Sequence, residues 1–288
     1  MKLLTLVSLI RPYQWYKNLL IFVPLIFSLR VFEWKSWPPA FSAFVSACLV
    51  SSAGYIINDV HDLEKDKIHP TKRFRPLPSG EISVRFALLV FVAMAFAGFL
   101  LACLVNFELF SMMAILFACS LLYTFLLKNY AVVDVLAISI NYVIRTLAGA
   151  YAIAVHISSW LIIGIFFLAL LLALGKRVGE LAELRELAVT HRSTLNEYDM
   201  AWMNQWQSIA SALVILTYAL YCVEVHGLKL LPTVPIAVYG VMRYSLVTKR
   251  RPDMASHPHR TVLMDRPLLA SLAVYVTTTL VLLYLSCV

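Results

Sequence analysis

Nine apolar segments, each close to 20 residues, leave this chain few ways to fold. They fall at 16–33, 39–57, 84–104, 107–127, 131–154, 158–175, 206–224, 229–247 and 267–286. A helix needs about 20 apolar residues to cross a bilayer core. In lipid every backbone amide must bond within the protein, which leaves helices or closed barrels. Continuous apolar runs of this length fit helices, so the expected class is all-α, a polytopic membrane protein with nine transmembrane helices. The composition agrees: 61% of the 288 residues are hydrophobic and 14% are charged, where soluble domains carry about 25% charged residues. No polar stretch is long enough for a separate soluble domain, so residues 1–288 read as one transmembrane domain. The N-terminal MKLLTLVSLIRPYQWYKN shows no small-residue cleavage site, and no signal peptide is expected.

The basic residues test this reading. With nine helices, twenty of the 24 Lys and Arg fall on one side, while Arg30, Lys35 and Lys229 fall on the other and Arg145 lies inside a segment. So strong a bias is the positive-inside pattern. It predicts a cytoplasmic N-terminus and a cytoplasmic acidic loop. The net charge of +8 is then accounted for by cytoplasmic loops and anionic lipid rather than nucleic acid. The five cysteines all lie in apolar segments without a CxxC pair, and they read as small core residues.

The polar chemistry is concentrated in NDVHDLEKDKIHPTKRFRPLPSG, residues 58–80, within an aspartate-rich cytoplasmic loop or lid at 58–83. Asn58, Asp62 and Asp66 are spaced by four and share one face if helical. Asp59 stands beside them, and Lys72, Arg73 and Arg75 follow. Clustered carboxylates favour a hard cation such as Mg²⁺, with Mn²⁺ as a substitute. The basic residues suit phosphate oxygens, although they would also serve topology. The expected catalytic set is Asn58, Asp59, Asp62 and Asp66, with Asn58, Asp62 and Asp66 as metal ligands. His69-Pro70 and Pro76-Leu77-Pro78 stiffen the loop.

Further polar groups lie near or within the apolar segments. Asp134, Asn141 and Arg145 share a helical face, with Asp134 and Arg145 roughly 16 Å apart along it. An intramembrane Arg costs about 2.5–3.5 kcal/mol on insertion scales and usually faces a polar cavity, here expected to open to the cytoplasm. Tyr123 and Lys128 fit either interfacial anchoring or substrate contact. In GKRVGEL, Lys176 and Glu180 form an i,i+4 pair beside Arg177. Lys17 and Asn18 close RPYQWYKN, whose Trp15 and Tyr16 suit a membrane interface. With the loop cations these make a candidate set of Lys17, Lys72, Arg73, Arg75, Tyr123, Lys128, Asp134, Arg145, Lys176, Arg177 and Glu180.

At these residues the chain resembles the UbiA-type prenyltransferase superfamily. Asn58-Asp59-x-x-Asp62-x-x-x-Asp66 matches its first aspartate-rich motif. RPYQWYKN, Tyr123 with Leu127-Lys128, Val133-Asp134, Arg145, GKRVGEL and Asp265-Arg266-Pro267-Leu268 resemble the branch that uses phosphoribosyl diphosphate and polyprenyl phosphate. The resemblance implies a nine-helix bundle with a cytoplasmic-side cavity and Mg-dependent transfer of a 5-phosphoribosyl group to a decaprenyl-type phosphate, for a cell-wall arabinose precursor. It assigns substrate-phosphate binding to the candidate set that runs from Lys17 to Glu180 and implies a bacterial inner membrane, and a homo-oligomer is compatible with it. One departure is informative. Aromatic prenyltransferases of the superfamily carry a second DxxxD motif, whereas the aspartates after Asp66 here are Asp134, Asp199, Asp253 and Asp265, no two of them four apart. The matching region is the cationic GKRVGEL, which suits additional phosphates. An aromatic prenyltransferase and a membrane transporter are the alternatives. The missing DxxxD weighs against the first. The absence of an inverted repeat weighs against the second.

Overall fold

The computed structural model describes residues 3–186, 197–256 and 258–284, and among these the structure is helical with no strand. Among the described residues, seven helices are long and apolar enough to cross a membrane. They are α3 (Trp37–His61), α5 (Val84–Val105), α6 (Phe107–Phe125), α7 (Val133–Ala152), α8 (Ser159–Glu186), α9 (Met200–His226) and α13 (Arg266–Tyr284). The shorter helices are α1 (Leu3–Ile10), α2 (Val23–Phe27), α4 (Leu63–Lys67), α10 (Val234–Arg250), α11 (Pro252–Ala255) and α12 (Pro258–Met264).

The remaining two expected crossings take a different form. The first, at 16–33, is a 3₁₀ helix over Pro12–Phe22 followed by the five-residue α2. Pro24, expected to kink a longer helix, stands in the first turn of α2 instead, where its missing N–H costs nothing. The second is α10, of 17 residues. Two other boundaries also differ. Helix α3 runs four residues past its apolar stretch and carries Asn58 and Asp59. Helix α8 continues through GKRVGEL, because a helix held by i,i+3 and i,i+4 ion pairs does not stop where hydropathy falls.

The chain forms two compact units. One comprises residues 1–127 and 144–156, the other 128–143 and 157–288, so α7 contributes a half to each. In the first unit, α3 is lined with small buried residues, among them Ala43, Ser46, Ala47 and Ala53. Small side chains let helix backbones approach closely. Ser46 Oγ donates to the Gly98 carbonyl at 2.8 Å. A Cβ at Gly98 would sit 2.8 Å from Val50 and 3.2 Å from the Ser46 carbonyl oxygen. Gly149 meets the 3₁₀ segment still more tightly, since an added Cβ would run into the Ile21 carbonyl. In the second unit, Leu171, Leu174, Val178, Met203, Ala210 and Tyr244 form the core. Phe96 and Leu104 are largely exposed on α5, which suits a surface facing lipid.

Candidate functional site

The first unit gathers the acidic motif. Helix α3 ends at His61, and Asp62 caps it while opening α4. The backbone bonds Asp62 N–H to Asn58 O (2.9 Å) and Asp66 N–H to Asp62 O (2.8 Å) carry helical spacing through the joint. Asp59 and Asp66 are both 3% exposed. Arg75 Nη1 donates to Asp66 Oδ2 at 2.7 Å and reaches Asp59 Oδ1 at 3.2 Å. Lys72 Nζ lies 3.7 Å from Asp66. On its other side Asp59 is held by Arg11. Arg11 has a left-handed backbone, φ 53°, a conformation that costs a non-glycine residue about 1–3 kcal/mol. The guanidinium also lies over the Tyr55 ring, 5.8 Å from its centroid. Lys17 stands 5.9 Å from the same ring.

The loop that supplies these cations is ordered. His69 Nδ1 accepts from the Thr71 and Lys72 amides at 3.2 and 3.3 Å. Leu77 and Ile82 are buried with Leu9, Ile56, Ala87 and Val90. Gly80 takes φ 79°, as its turn requires. Arg73 stays exposed, with its guanidinium 4.8 Å from the Phe74 ring centroid.

The intramembrane Arg145 is 6% exposed. Its Nε donates to Asn18 Oδ1 at 2.7 Å and its Nη2 to Ser51 Oγ at 3.4 Å. Asn18, 1% exposed, donates in turn to Cys48 Sγ at 3.2 Å. The 3₁₀ segment therefore presents adjacent residues, Lys17 to the Tyr55 ring and Asn18 to Arg145. Tyr123, half-buried near the end of α6, is also in this unit.

The second unit holds the other polar set. Asp134 is fully buried. It accepts from Arg177 Nε at 2.8 Å, Tyr198 Oη at 2.6 Å and the Val135 amide at 2.8 Å. Arg177, one of the expected phosphate cations, is 1% exposed and spends its guanidinium on Asp134 and Glu180. Lys176 pairs with the other Glu180 oxygen at 3.6 Å and keeps more of its side chain in the open. Lys128 is buried in a 3₁₀ turn, Leu127–Asn129. Asn141 donates to its own helix, at Ala137 O. Burial and the bond to Asp134 push the Tyr198 hydroxyl above the usual phenol range, so it stays protonated and donates to the carboxylate. Asp265 pairs with Arg243 at 2.8 and 3.0 Å and caps α13. The Arg243 guanidinium holds that carboxyl below the usual range.

Among the described residues no three His, Cys, Asp or Glu side chains are grouped to enclose a metal. The site does fit a shared ion. Two buried carboxylates converge on one cationic nitrogen, and Mg²⁺ typically uses one or two protein carboxylates and takes the rest from phosphates and water. The convergent pair is Asp59 and Asp66. Asn58, next to Asp59 on α3, and Asp62, at the joint between α3 and α4, are both expected as ligands and are half-buried. Arg11 and Tyr198 are among the residues of these networks that were not legible as site residues: Arg11 reads only as an interfacial cation, and Tyr198 carries no motif.

Residues 19–264 match the UbiA prenyltransferase family. The decaprenyl-phosphate phosphoribosyltransferase of Mycobacterium tuberculosis is 30% identical over 91% of this chain and 88% of its own length. The enzyme of the same name from Mycolicibacterium smegmatis is 32% identical over 75% of this chain and 69% of its length. Among solved structures, a UbiA homolog from Archaeoglobus fulgidus bound to GPP and Mg²⁺ shares the fold. Its TM-score is 0.76 at 18% identity, covering 97% of this chain and 99% of that one. A buried acidic pair under basic side chains, in a helical membrane chain matched over most of its length, places the protein plainly: it belongs to the UbiA prenyltransferase family and is a transferase.

Proposed function

We propose that this protein transfers a 5-phosphoribosyl group from phosphoribosyl diphosphate to a polyprenyl phosphate such as decaprenyl phosphate. The observation that carries the reading is the pair of buried carboxylates, Asp59 and Asp66, meeting at one cationic nitrogen with Arg11 and Lys72 beside them. Such an arrangement suits a metal-bound diphosphate. Bound there, Mg²⁺ would offset the charge that develops on the departing diphosphate. Asp59 and Asp66 would hold the ion, and Asn58 and Asp62, their neighbours along α3 and its junction with α4, would support it.

The chain's own groups would do the remaining work. Arg75, Lys72 and Arg73 would move from carboxylates and solvent to diphosphate oxygens. Lys17 and Arg145 would position a phosphate, and Tyr123 is a further candidate contact in the same unit. In the other unit Lys128 and Lys176 are the cations assigned to further anionic groups, while Arg177 and Asp134 hold Glu180 in place. A polyprenyl phosphate oxygen is already anionic, so it can attack the ribosyl C1 without a general base. The C1–O bond breaks as the new one forms, the electron pair leaves with diphosphate, and the anomeric centre inverts. Developing oxocarbenium character at C1 is expected, as in other glycosyl transfers.

The prenyl-transfer alternative needs a second acidic cluster for its metal. Asp134 is enclosed by Arg177 and Tyr198, Asp199 caps α9 at Ala201 and Trp202, and Asp265 is paired with Arg243. None of these commitments favours a second metal. We further propose nine crossings, with the 3₁₀ segment plus α2 and α10 completing the seven long helices. The N-terminus and the lid would lie on the cytoplasmic face of a bacterial inner membrane, and the product would feed cell-wall arabinose synthesis. The test is a reconstituted assay that offers labelled phosphoribosyl diphosphate with polyprenyl phosphate, against prenyl diphosphate with 4-hydroxybenzoate. Mass spectrometry should find phosphoribosylated lipid in the first arm. Product only in the second would overturn the reading.

A further inference from the structure

Tyr198 lies 64 residues from Asp134 in sequence, yet its hydroxyl makes two short contacts at the start of α7. It donates to Asp134 Oδ1 at 2.6 Å and accepts from the Val132 amide at 2.6 Å. Val132 takes φ 67°, a region β-branched residues avoid. From Asp134 the chain of contacts continues. Asp134 Oδ2 accepts from Arg177 Nε, Arg177 Nη1 donates to Glu180, and Glu180 pairs with Lys176. The first members of this chain are buried and the last, Glu180 and Lys176, are accessible. A buried network whose open end carries a matched acid and base is a way of fixing the direction of those two groups.

We propose that Tyr198 is a positioning residue: its hydroxyl fixes Asp134, and through Arg177 it sets the orientation of Glu180 and Lys176 toward a phosphate-bearing substrate. This rests on the phosphoribosyl-transfer reading above. Asp134 fills its two oxygens with three donors, so deleting one leaves the carboxylate freer to turn and relaxes the Arg177 guanidinium with it. The effect should fall on substrate binding, because none of these groups is assigned to the reacting atoms.

The experiment uses full-length protein in defined lipid and a double-mutant cycle. Tyr198→Phe should raise KM for one phosphate-bearing substrate about tenfold, the scale of one hydrogen bond to a buried charge. KM for the other substrate and kcat should stay within about twofold. In a Glu180→Gln background the same substitution should add little, because both act through one chain. Equal effects with and without Glu180→Gln, or unchanged KM values in Tyr198→Phe, would overturn the proposal. If Tyr198→Phe misfolds through Val132, the cycle is repeated in Val132→Gly, where glycine accepts the left-handed backbone unaided. A wild-type protein without phosphoribosyl transfer would refute the underlying reading instead, so the two failures are separable.

Discussion

Arg75 Nη1 stands 2.7 Å from Asp66 Oδ2 and 3.2 Å from Asp59 Oδ1, so one guanidinium nitrogen serves two buried carboxylates. A cation of the chain itself occupies the position that a divalent ion would share, and the two should compete. Arg75→Ala is expected to destabilise the metal-free protein by about 1–3 kcal/mol, through the hydrogen bonds lost to buried charges. It should also enlarge the rise in melting temperature on adding Mg²⁺. Thermal unfolding with and without Mg²⁺ reads both effects. An unchanged metal response would count against competition.

Asp66→Asn keeps the shape and removes the charge. Transfer is expected to fall at least about a hundredfold, in line with loss of a group that supports the leaving charge. Far-UV circular dichroism and elution volume should match wild type. Asp62→Asn should also lower turnover. Unchanged kinetics in either purified variant would remove that side chain from the proposed site.

The Asn18–Arg145 bond predicts a coupled loss. Asn18→Leu removes a 2.7 Å acceptor from a buried guanidinium and should cost about 1–3 kcal/mol of stability. Arg145→Met should cost stability on the same scale, and the double variant should lose less stability than the two single losses combined. Additive losses would show that the two residues act separately.

Gly149→Ala tests the close approach of the 3₁₀ segment to α7. The added methyl meets the Ile21 carbonyl. Overpacking of this kind should cost about 1–3 kcal/mol and displace the segment bearing Lys17 and Asn18. Denaturation and a kinetic assay should both register it, whereas Gly240→Ala, whose Cβ would lie 3.6 Å from Ser271 Oγ, should be mild.

Asp265 gives a pH prediction. Arg243 lowers its pKa in the folded protein, so the folded state binds a proton less readily than the unfolded one. Stability from this pair is therefore present above the ordinary carboxylate value of about 4 and is lost as pH falls through the lower folded value. Asp265→Asn should melt below wild type at pH 7, and the gap should narrow below about pH 4. A constant gap across that window would contradict the linkage.

Much of this architecture was legible because lipid makes hydropathy decisive. The segment at 84–104 became α5 at Val84–Val105, and 107–127 became α6 at Phe107–Phe125. The failures have physical causes. Apolar composition does not distinguish α from 3₁₀ geometry, so the Pro12–Phe22 segment was beyond reach. The acidic motif and the Lys176–Glu180 pair could be read because their spacing is local. Arg11 on Asp59 and Tyr198 on Asp134 span 48 and 64 residues and depend on left-handed turns at Arg11 and Val132 that no residue type announces. Lys176 and Arg177 look equivalent in sequence, yet neighbouring helical positions point about 100° apart, and one is enclosed while the other is accessible.

The most direct test is equilibrium binding of labelled phosphoribosyl diphosphate to purified protein, with Mg²⁺ and with excess chelator. Saturable binding that needs the metal in wild type, and that is lost in Asp66→Asn, is the predicted result. Equally tight binding in chelator, or undiminished binding by Asp66→Asn, would contradict the account.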